Sequence, residues 1–460
     1  MITKFPNRPT KDVAIVGAGF SRAISPQFPL TDELGDLAVL AANVARDPRI
    51  PSEGFYDGTF ELWLSGMAED QPFLSLEENL ENRALFTRVT RGIWTVLTHR
   101  QSAALATPAP EWAYDFLSVC HVCMSHVISL NYDNAIECLA DGHSLWDFDS
   151  SLRADHTDVI NNQPPAVETF GYAVARTFRL LKLHGSLNWY WISGDQVGSS
   201  IQRWRAPGIF GAPTPDDPEG RHRMLPSRDP FLIPPSSTKS TYNSNPLSRE
   251  LWSQAFDCLR EAQRIFLIGY SLPNGDLTMM NMLGEACQRR DVRIVVANPD
   301  PDPVIERLKW IGLSENQMEV FQGAECVDDL VESLRAECAV AFSDRLREWK
   351  CDQNLPQVGS LMVTWGQTIE TPIWQQFTVT GVSKHDDVIE LQLANHIEPV
   401  APEPAQLNQI LDLVDDARCV VALMPNSRRL PVIGLWTADQ PAGDQYRWIS
   451  LTVAGRPGPQ

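Results

Sequence analysis

Five times in this chain a short run of mainly valine, isoleucine and leucine stops abruptly at glycine or at a polar side chain. Val13 to Val16 empties into Gly17-Ala18-Gly19-Phe20-Ser21, and His126 to Leu130 into Asn131-Tyr132-Asp133. Arg179 to Leu183 ends at His184-Gly185-Ser186, Arg264 to Ile268 at Gly269-Tyr270-Ser271, and Val292 to Ala297 at Asn298-Pro299-Asp300. Runs this short and apolar suit strands covered on both faces. Helical patterns lie between several of them, at Trp112 to Val119, Ser248 to Ala262, Asp276 to Arg289 and Pro303 to Trp310. That alternation predicts an α/β fold built on a largely parallel sheet with helices on both faces. In open sheets of this class, ligands bind beyond the carboxyl ends of the strands. Five polar strand ends therefore predict one nucleotide-sized crevice.

Helix starts are legible elsewhere. Thr31 reads as a cap ahead of Asp32 and Glu33, and Ser75 with Glu78 forms a capping-box pair before Leu80, Leu85, Val89, Ile93 and Leu97. Residues from about 190 to 245 break the rhythm with Pro, Gly and Ser and read as an irregular insertion. After a last helix at roughly Asp328 to Lys350 the character changes. Leu361 to Trp365, Gln376 to Val382, Val388 to Ala394, Cys419 to Met424, Val432 to Trp436 and Trp448 to Val453 read as strands, interrupted by a helical pattern at Gln406 to Asp416. A chain of 460 residues favours two domains. The expected division is a Rossmann-like domain over 1–350 and a smaller β-rich domain over 351–460.

The side-chain balance of 38 basic against 58 acidic residues gives a net charge of −20, which argues against nucleic-acid binding. Short basic stretches such as Arg203 to Arg205 and Arg221 to Arg228 do not change that. No apolar run reaches the length of about 18 residues that a membrane span needs, and the first residues do not read as a signal peptide. Nine scattered cysteines fit free thiols in a reducing cytoplasm.

The strand ends carry two readings each. Gly17 and Gly19 would let backbone amides approach a pyrophosphate, or simply make a tight turn. Arg22 stands where a dinucleotide fingerprint has its third glycine, and no acid ends a second strand about twenty residues on, so hydride transfer loses support. Asp133 is either a helix cap for the stretch from Ala135 or a site residue, and capping by it would leave Asn131 facing the crevice. His184, the one histidine between an apolar strand and a glycine, is either structural or a general base. Cys120 and Cys123 form the only CxxC, with His126 behind it, and read as thiols on a helix face rather than a metal site.

Together these residues resemble the sirtuin family. The match runs through GAGFS at 17–21, LNYD at 130–133, LHG at 183–185, GYS at 269–271 and ANPD at 297–300. In wording the chain is similar to a divergent bacterial branch linked to NAD depletion in antiviral defence. The features are LKLHGSLNW at 181–189, FLIPPSSTKS at 231–240 and LWSQAFDCLREAQRIFLIGYSLPNGD at 251–276. The resemblance covers roughly residues 10 to 315 and leaves out the β-rich part. The paired CxxC zinc module of zinc-bearing sirtuins has no counterpart, since no cysteine lies between His184 and Cys258.

The resemblance implies NAD as substrate and no zinc. It implies that Gly17, Ala18, Gly19, Phe20 and Ser21 hold the phosphates and that Gly269, Tyr270, Ser271, Asn298 and Asp300 line the adenosine side. Asn131 and Asp133 would face the nicotinamide ribose, and His184 would act as base. If water attacks, the chain is an NAD hydrolase; if an acyl-lysine attacks, an NAD-dependent deacylase; with no turnover, an NAD or ADP-ribose sensor. The missing zinc module favours hydrolysis. An active hydrolase needs an off state, so Trp365, Trp374, Trp436 and Trp448 mark either a plain core or a sensing or oligomerisation surface in the β-rich domain. A homo-oligomer, a phage-derived activator and an accessory ATPase or Argonaute are the partners this implies.

Overall fold

A computed structural model of the chain describes residues 12–123, 125–142, 157–159, 178–192, 201–204, 208–215, 225, 228–236, 245–287, 292–347, 361–365, 375–385, 388–395, 419–423, 429–439 and 447–453. Strand β1 (Asp12–Val16) leads directly into helix α1 (Ala18–Ile24), followed by α2 (Thr31–Ala41), α3 (Thr59–Ala68), α4 (Leu76–Leu105), α5 (Glu111–Cys123), β2 (His126–Ser129) and α6 (Ala135–Gly142). Next come β3 (Thr157–Val159), β4 (Leu180–Lys182), β5 (Gly185–Trp191), β6 (Ile201–Arg203), β7 (Gly208–Ile209), β8 (Ala212–Pro213), β9 (Asp229–Leu232) and α7 (Pro246–Glu261). The α/β alternation then resumes with β10 (Arg264–Ile268), α8 (Leu277–Cys287), β11 (Arg293–Ala297), α9 (Asp302–Trp310), β12 (Met318–Phe321) and α10 (Cys326–Arg347).

The six strands β12-β11-β10-β1-β2-β4 form one sheet, every neighbouring pair parallel. Numbered by their sequence within the sheet, they lie in the order 3-2-1-4-5-6, that of doubly wound nucleotide-binding sheets. Alternate side chains of each strand meet different cores. Val13, Ile15, Ile128, Leu181, Ile265, Leu267, Ile294 and Val296 pack with residues of α7, α8 and α9. Ala14, Val16, Val127, Leu180, Phe266, Ile268, Val295 and Ala297 pack with residues of α1, α5, α6 and α10. Helices therefore cover both faces, which is why the strands carry apolar residues without polar alternation. Each fully buried Val, Leu or Ile contributes about 1.5–3 kcal/mol of transfer free energy. The exception is β12, an edge strand with its two central residues, Glu319 and Val320, exposed.

The Ser75–Glu78 capping box forms in both directions at the start of the 30-residue α4. Thr31 is not a cap: α2 begins at Thr31 itself, with Leu30 at the cap position and no side-chain cap bond. The acids of that first turn are used otherwise. Asp32 accepts from the Gly58 and Phe60 amides at 2.8 and 3.1 Å, fixing the start of α3. Glu33 pairs with Arg22 at 2.9 Å.

The stretch read as irregular from 190 contains strands. β5, a continuation of the chain beyond His184, is buried throughout and pairs antiparallel with β6 and β9 in a second sheet of order β3-β6-β5-β9. Beyond α10, β13 (Leu361–Trp365), β14 (Gln375–His385), β15 (Val388–Asn395), β16 (Cys419–Leu423), β17 (Arg429–Asp439) and β18 (Arg447–Val453) pair in chain order in a six-stranded sheet. All neighbours are antiparallel except β15 and β16. The helical pattern at Gln406 to Asp416, and Trp374, lie outside the described residues.

Candidate active site

The order of the sheet reverses between β1 and β10, because the chain leaves β1 towards β2 and leaves β10 towards β11. That reversal places the GAGFS and GYS loops side by side. The Gly17 amide donates to Ile268 O at 3.1 Å and the Gly19 amide to Gly269 O at 2.8 Å. A Cβ on Gly17 would lie 2.7 Å from both Gly269 O and Tyr270 Cα, and one on Gly19 would lie 2.8 Å from Gly269 Cα. Gly269 itself has φ +57°. The glycines are thus required by contact between two loop backbones, whatever the loops also bind. Phe20 is turned into the core, fully buried, its ring centroid 5.1 Å from that of Phe116 and 5.9 Å from that of Trp112. Only its backbone remains at the loop, where its amide donates to Gly17 O at 2.9 Å.

Asn131 joins this loop to the end of β2. Its Nδ2 donates to Gly17 O at 2.8 Å and to Ser21 Oγ at 2.9 Å, which uses both amide hydrogens. Its Oδ1 has no protein donor among the described residues. Ser21 in turn hydrogen-bonds the Asp133 carboxylate. Asp133 also accepts from the Ala135 amide at 3.0 Å, so it holds the first residue of α6 and belongs to the site at once. Burial pushes its carboxyl above the ordinary value, while the nearby Lys182 ammonium pulls the other way.

His184 sits where the chain leaves β4 for β5. Gly185 permits that corner, with φ +81° and no room for a Cβ against the Phe231 carbonyl. The His184 Nδ1 lies 3.2 Å from Leu130 O. A carbonyl only accepts, so Nδ1 donates here, which in the neutral ring leaves the lone pair on Nε2. The ring is buried between Tyr132 and Trp252, with centroids at 6.3 and 6.4 Å. His184 is thereby held against Leu130, the residue next to Asn131.

The remaining predicted residues are placed differently. Tyr270 is buried, and its hydroxyl donates to Asp276 Oδ2 at 2.9 Å; burial and the Asp276 charge hold that phenol well above its usual range. Ser271 is exposed, and its carbonyl accepts from Arg307 at 2.7 Å. Asn298 accepts the Asp300 amide at 3.1 Å in an Asx turn at the end of β11. Asn298 is half-buried and Asp300 exposed. No hydrogen bond among the described residues ties Ser271, Asn298 or Asp300 to the Asn131–Ser21–Asp133 group. Ala18 is half-buried at the start of α1.

Sequence reasoning missed the polar layer beneath the site. Lys182 Nζ lies 2.9 Å from Glu137 Oε1, 2.7 Å from Ser186 Oγ and 2.5 Å from Asp133 O. Asn134 Nδ2 donates to Ser186 Oγ and Asn188 Oδ1 at 2.9 and 3.0 Å, and its amide donates to Gln101 Oε1 at 2.6 Å. The signal was present: a lysine within the apolar run Leu180-Leu181-Lys182-Leu183 needs a buried partner. Cys120 of the CxxC pair is buried among the core residues of α5 and the sheet, and the side chain of Cys123 is outside the described residues. Among the described residues, no group of His, Cys, Asp and Glu has metal-site geometry, and no helix is long and apolar enough to cross a membrane.

Comparison with known proteins gives no match, either to a family model or among curated sequences.

Proposed function

We propose that the residues at the carboxyl ends of β1, β2, β4 and β10 bind NAD and hydrolyse its nicotinamide–ribose bond, giving nicotinamide and ADP-ribose. The observation that carries the reading is the convergence on Asn131. Its amide hydrogens fasten Gly17 and Ser21 of the first loop, and the next residue back, Leu130, holds His184. In this reaction a water oxygen attacks the ribose carbon as the bond to nicotinamide nitrogen breaks. The electron pair leaves with nicotinamide, and the water proton passes to Nε2 of His184. The oxocarbenium-like charge at the ribose carbon is stabilised by the Asn131 carboxamide oxygen and the Asp133 carboxylate. Ala18, Gly19 and Ser21 would lie at the phosphates, and Ser271, Asn298 and Asp300 at the adenosine side. This is the Rossmann-like placement that the resemblance to sirtuin-like defence proteins implies, with NAD as substrate and no zinc.

On this reading residues 1–350 are the catalytic domain, and the strands β13–β18 belong to a domain of 351–460 that gates it or closes a homo-oligomer. The role is that of a cytoplasmic antiphage effector, silent until a phage component or an accessory defence protein acts on it. The test is nicotinamide release from NAD by the purified full chain beside His184→Ala and Asn131→Ala, with and without lysate of phage-infected cells. Each variant should lose about 10²–10⁴-fold in rate while staying folded. Release that persists in both variants refutes the assignment. Formation of acetyl-ADP-ribose only with an acetylated peptide would make the protein a deacylase, and tight NAD binding without release a sensor.

A further inference from the structure

We propose that Lys182 is a positioning residue of this site: its buried ammonium clamps the strand that carries His184 to the turn that carries Asn131 and Asp133. The rate prediction rests on the NAD-hydrolase reading; the clamp itself does not.

Lys182 is only 2% exposed, on a strand whose neighbours Leu180, Leu181 and Leu183 are buried. An ammonium has three hydrogens. Here they meet Asp133 O, Glu137 Oε1 and Ser186 Oγ at 2.5 to 2.9 Å, with Tyr132 O at 3.5 Å. The two carbonyls belong to the turn after Asn131, Glu137 to α6, and Ser186 to β5 just past His184. One cation therefore touches the chain on both sides of His184 and the turn that presents Asn131.

Stability gives no reason for a charge at this place. Desolvating an ammonium and a carboxylate costs several kcal/mol each, and apolar replacements of a buried ion pair often leave a protein equally stable. Geometry does give one. Asn134, next in the same turn, extends the clamp through Ser186, Asn188 and Gln101 to α4. The charged groups around Asp133 are Lys182 from β4 and Glu137 from α6, and α1 contributes the neutral Ser21. Lys182 is thus the cation that offsets the burial of Asp133.

The experiment uses the full chain with Lys182→Met, Lys182→Arg and the paired Lys182→Met/Glu137→Gln, the last removing both charges so that the fold is kept. Amide hydrogen exchange is read over 131–135 and, as reference, over β10. NAD turnover is read as kcat, KM and pH profile. Loss of the clamp should speed exchange over 131–135 by tenfold or more with β10 unchanged. It should lower kcat by about 100-fold with KM near wild type, the cost of an ångström-scale misplacement. The acid limb of kcat should move to higher pH, because Asp133 loses its opposing cation, and Lys182→Arg should restore the limb more than the rate. A folded paired variant with wild-type exchange, rate and pH profile overturns the proposal. If the wild-type chain releases no nicotinamide, the hydrolase reading fails, and exchange alone decides the clamp: equal protection in wild type and Lys182→Met overturns it, selective loss over 131–135 supports it.

Discussion

Replacing Gly269 by alanine adds one methyl where two backbones already touch. The new Cβ would lie 2.7 Å from Gly19 Cα and closer still to the Phe20 amide nitrogen, whereas ordinary contact begins at 3.4 Å. These atoms cannot swing aside as a side chain could, because the Gly17 and Gly19 amides donate to the Ile268 and Gly269 carbonyls, one on either side of Gly269 Cα. Two costs follow. A left-handed φ of +57° costs an L residue roughly 1–2 kcal/mol, and overpacking at an unyielding contact costs about 1–3 kcal/mol more. The expected loss is therefore roughly 2–5 kcal/mol, a large share of the few kcal/mol by which domains are stable. Gly58 supplies the control. Its φ is +81°, but nothing lies within 4 Å of its would-be Cβ, so Gly58→Ala bears only the first cost. Urea unfolding followed by circular dichroism measures both variants against wild type. If Gly269→Ala destabilises no more than Gly58→Ala, the two loops are not interlocked and the site is not built as argued.

Asp133→Asn tests the buried carboxylate. Because burial raises the folded-state pKa of Asp133 above its ordinary 3.8, the folded state favours the protonated acid. Stability from that proton is complete below pH 3.8 and lost as pH rises through the folded pKa, so the asparagine variant should be more stable than wild type near pH 7. The gain should vanish in acid; a gain independent of pH in denaturation series refutes the shift. At the start of α4, Ser75→Ala should cost about 1 kcal/mol through the lost capping box, read as a shift in unfolding midpoint. In α3, Gly66→Ala should stabilise by roughly 0.5–1 kcal/mol, since nothing lies within 4 Å of the added methyl and the helix loses a flexible residue; a loss of stability would show that the site is not open.

The parallel sheet was legible because its strands are buried on both faces and so carry an unmixed apolar signal. β12, the second residue of which, Glu319, faces solvent at the edge, gave no such signal and was overlooked. The stretch from about 190 to 245 shows in sequence only its Pro, Gly and Ser content, yet it holds β6 and β9, which pair with β5 in a second sheet. Strands whose partners are distant in sequence and short leave little local trace. Among the candidate residues, Asn131, Ser21 and Asp133 are linked by hydrogen bonds, and His184 is held at Leu130 beside them. Phe20 was misjudged in one respect, since an aromatic at a loop is as easily a core anchor as a ligand contact. Lys182 stands out within its apolar run, but Glu137 and Asn134 do not, because no spacing along the chain brings α6 to β4.

The candidate residues divide by how firmly they are held, and the division predicts how each should fail. Asn131, Ser21, Asp133 and His184 are all buried and hydrogen-bonded within the protein. Groups fixed in advance stabilise developing charge without reorganising, so their removal costs transition-state energy above all. Ser271 and Asp300 are exposed, and Asn298 is half-buried with its side chain spent on one local turn. On the proposed reaction such groups would contact NAD equally before and during reaction, and uniform binding affects KM rather than kcat. Under the proposed reaction, Asn298→Ala should therefore raise KM for NAD with kcat nearly unchanged, whereas Asn131→Ala should lower kcat by orders of magnitude. Initial-rate kinetics on both variants separate the two. A drop in kcat for Asn298→Ala equal to that for Asn131→Ala would mean that the crevice is not divided into a reacting end beside β2 and a recognition end beside β11.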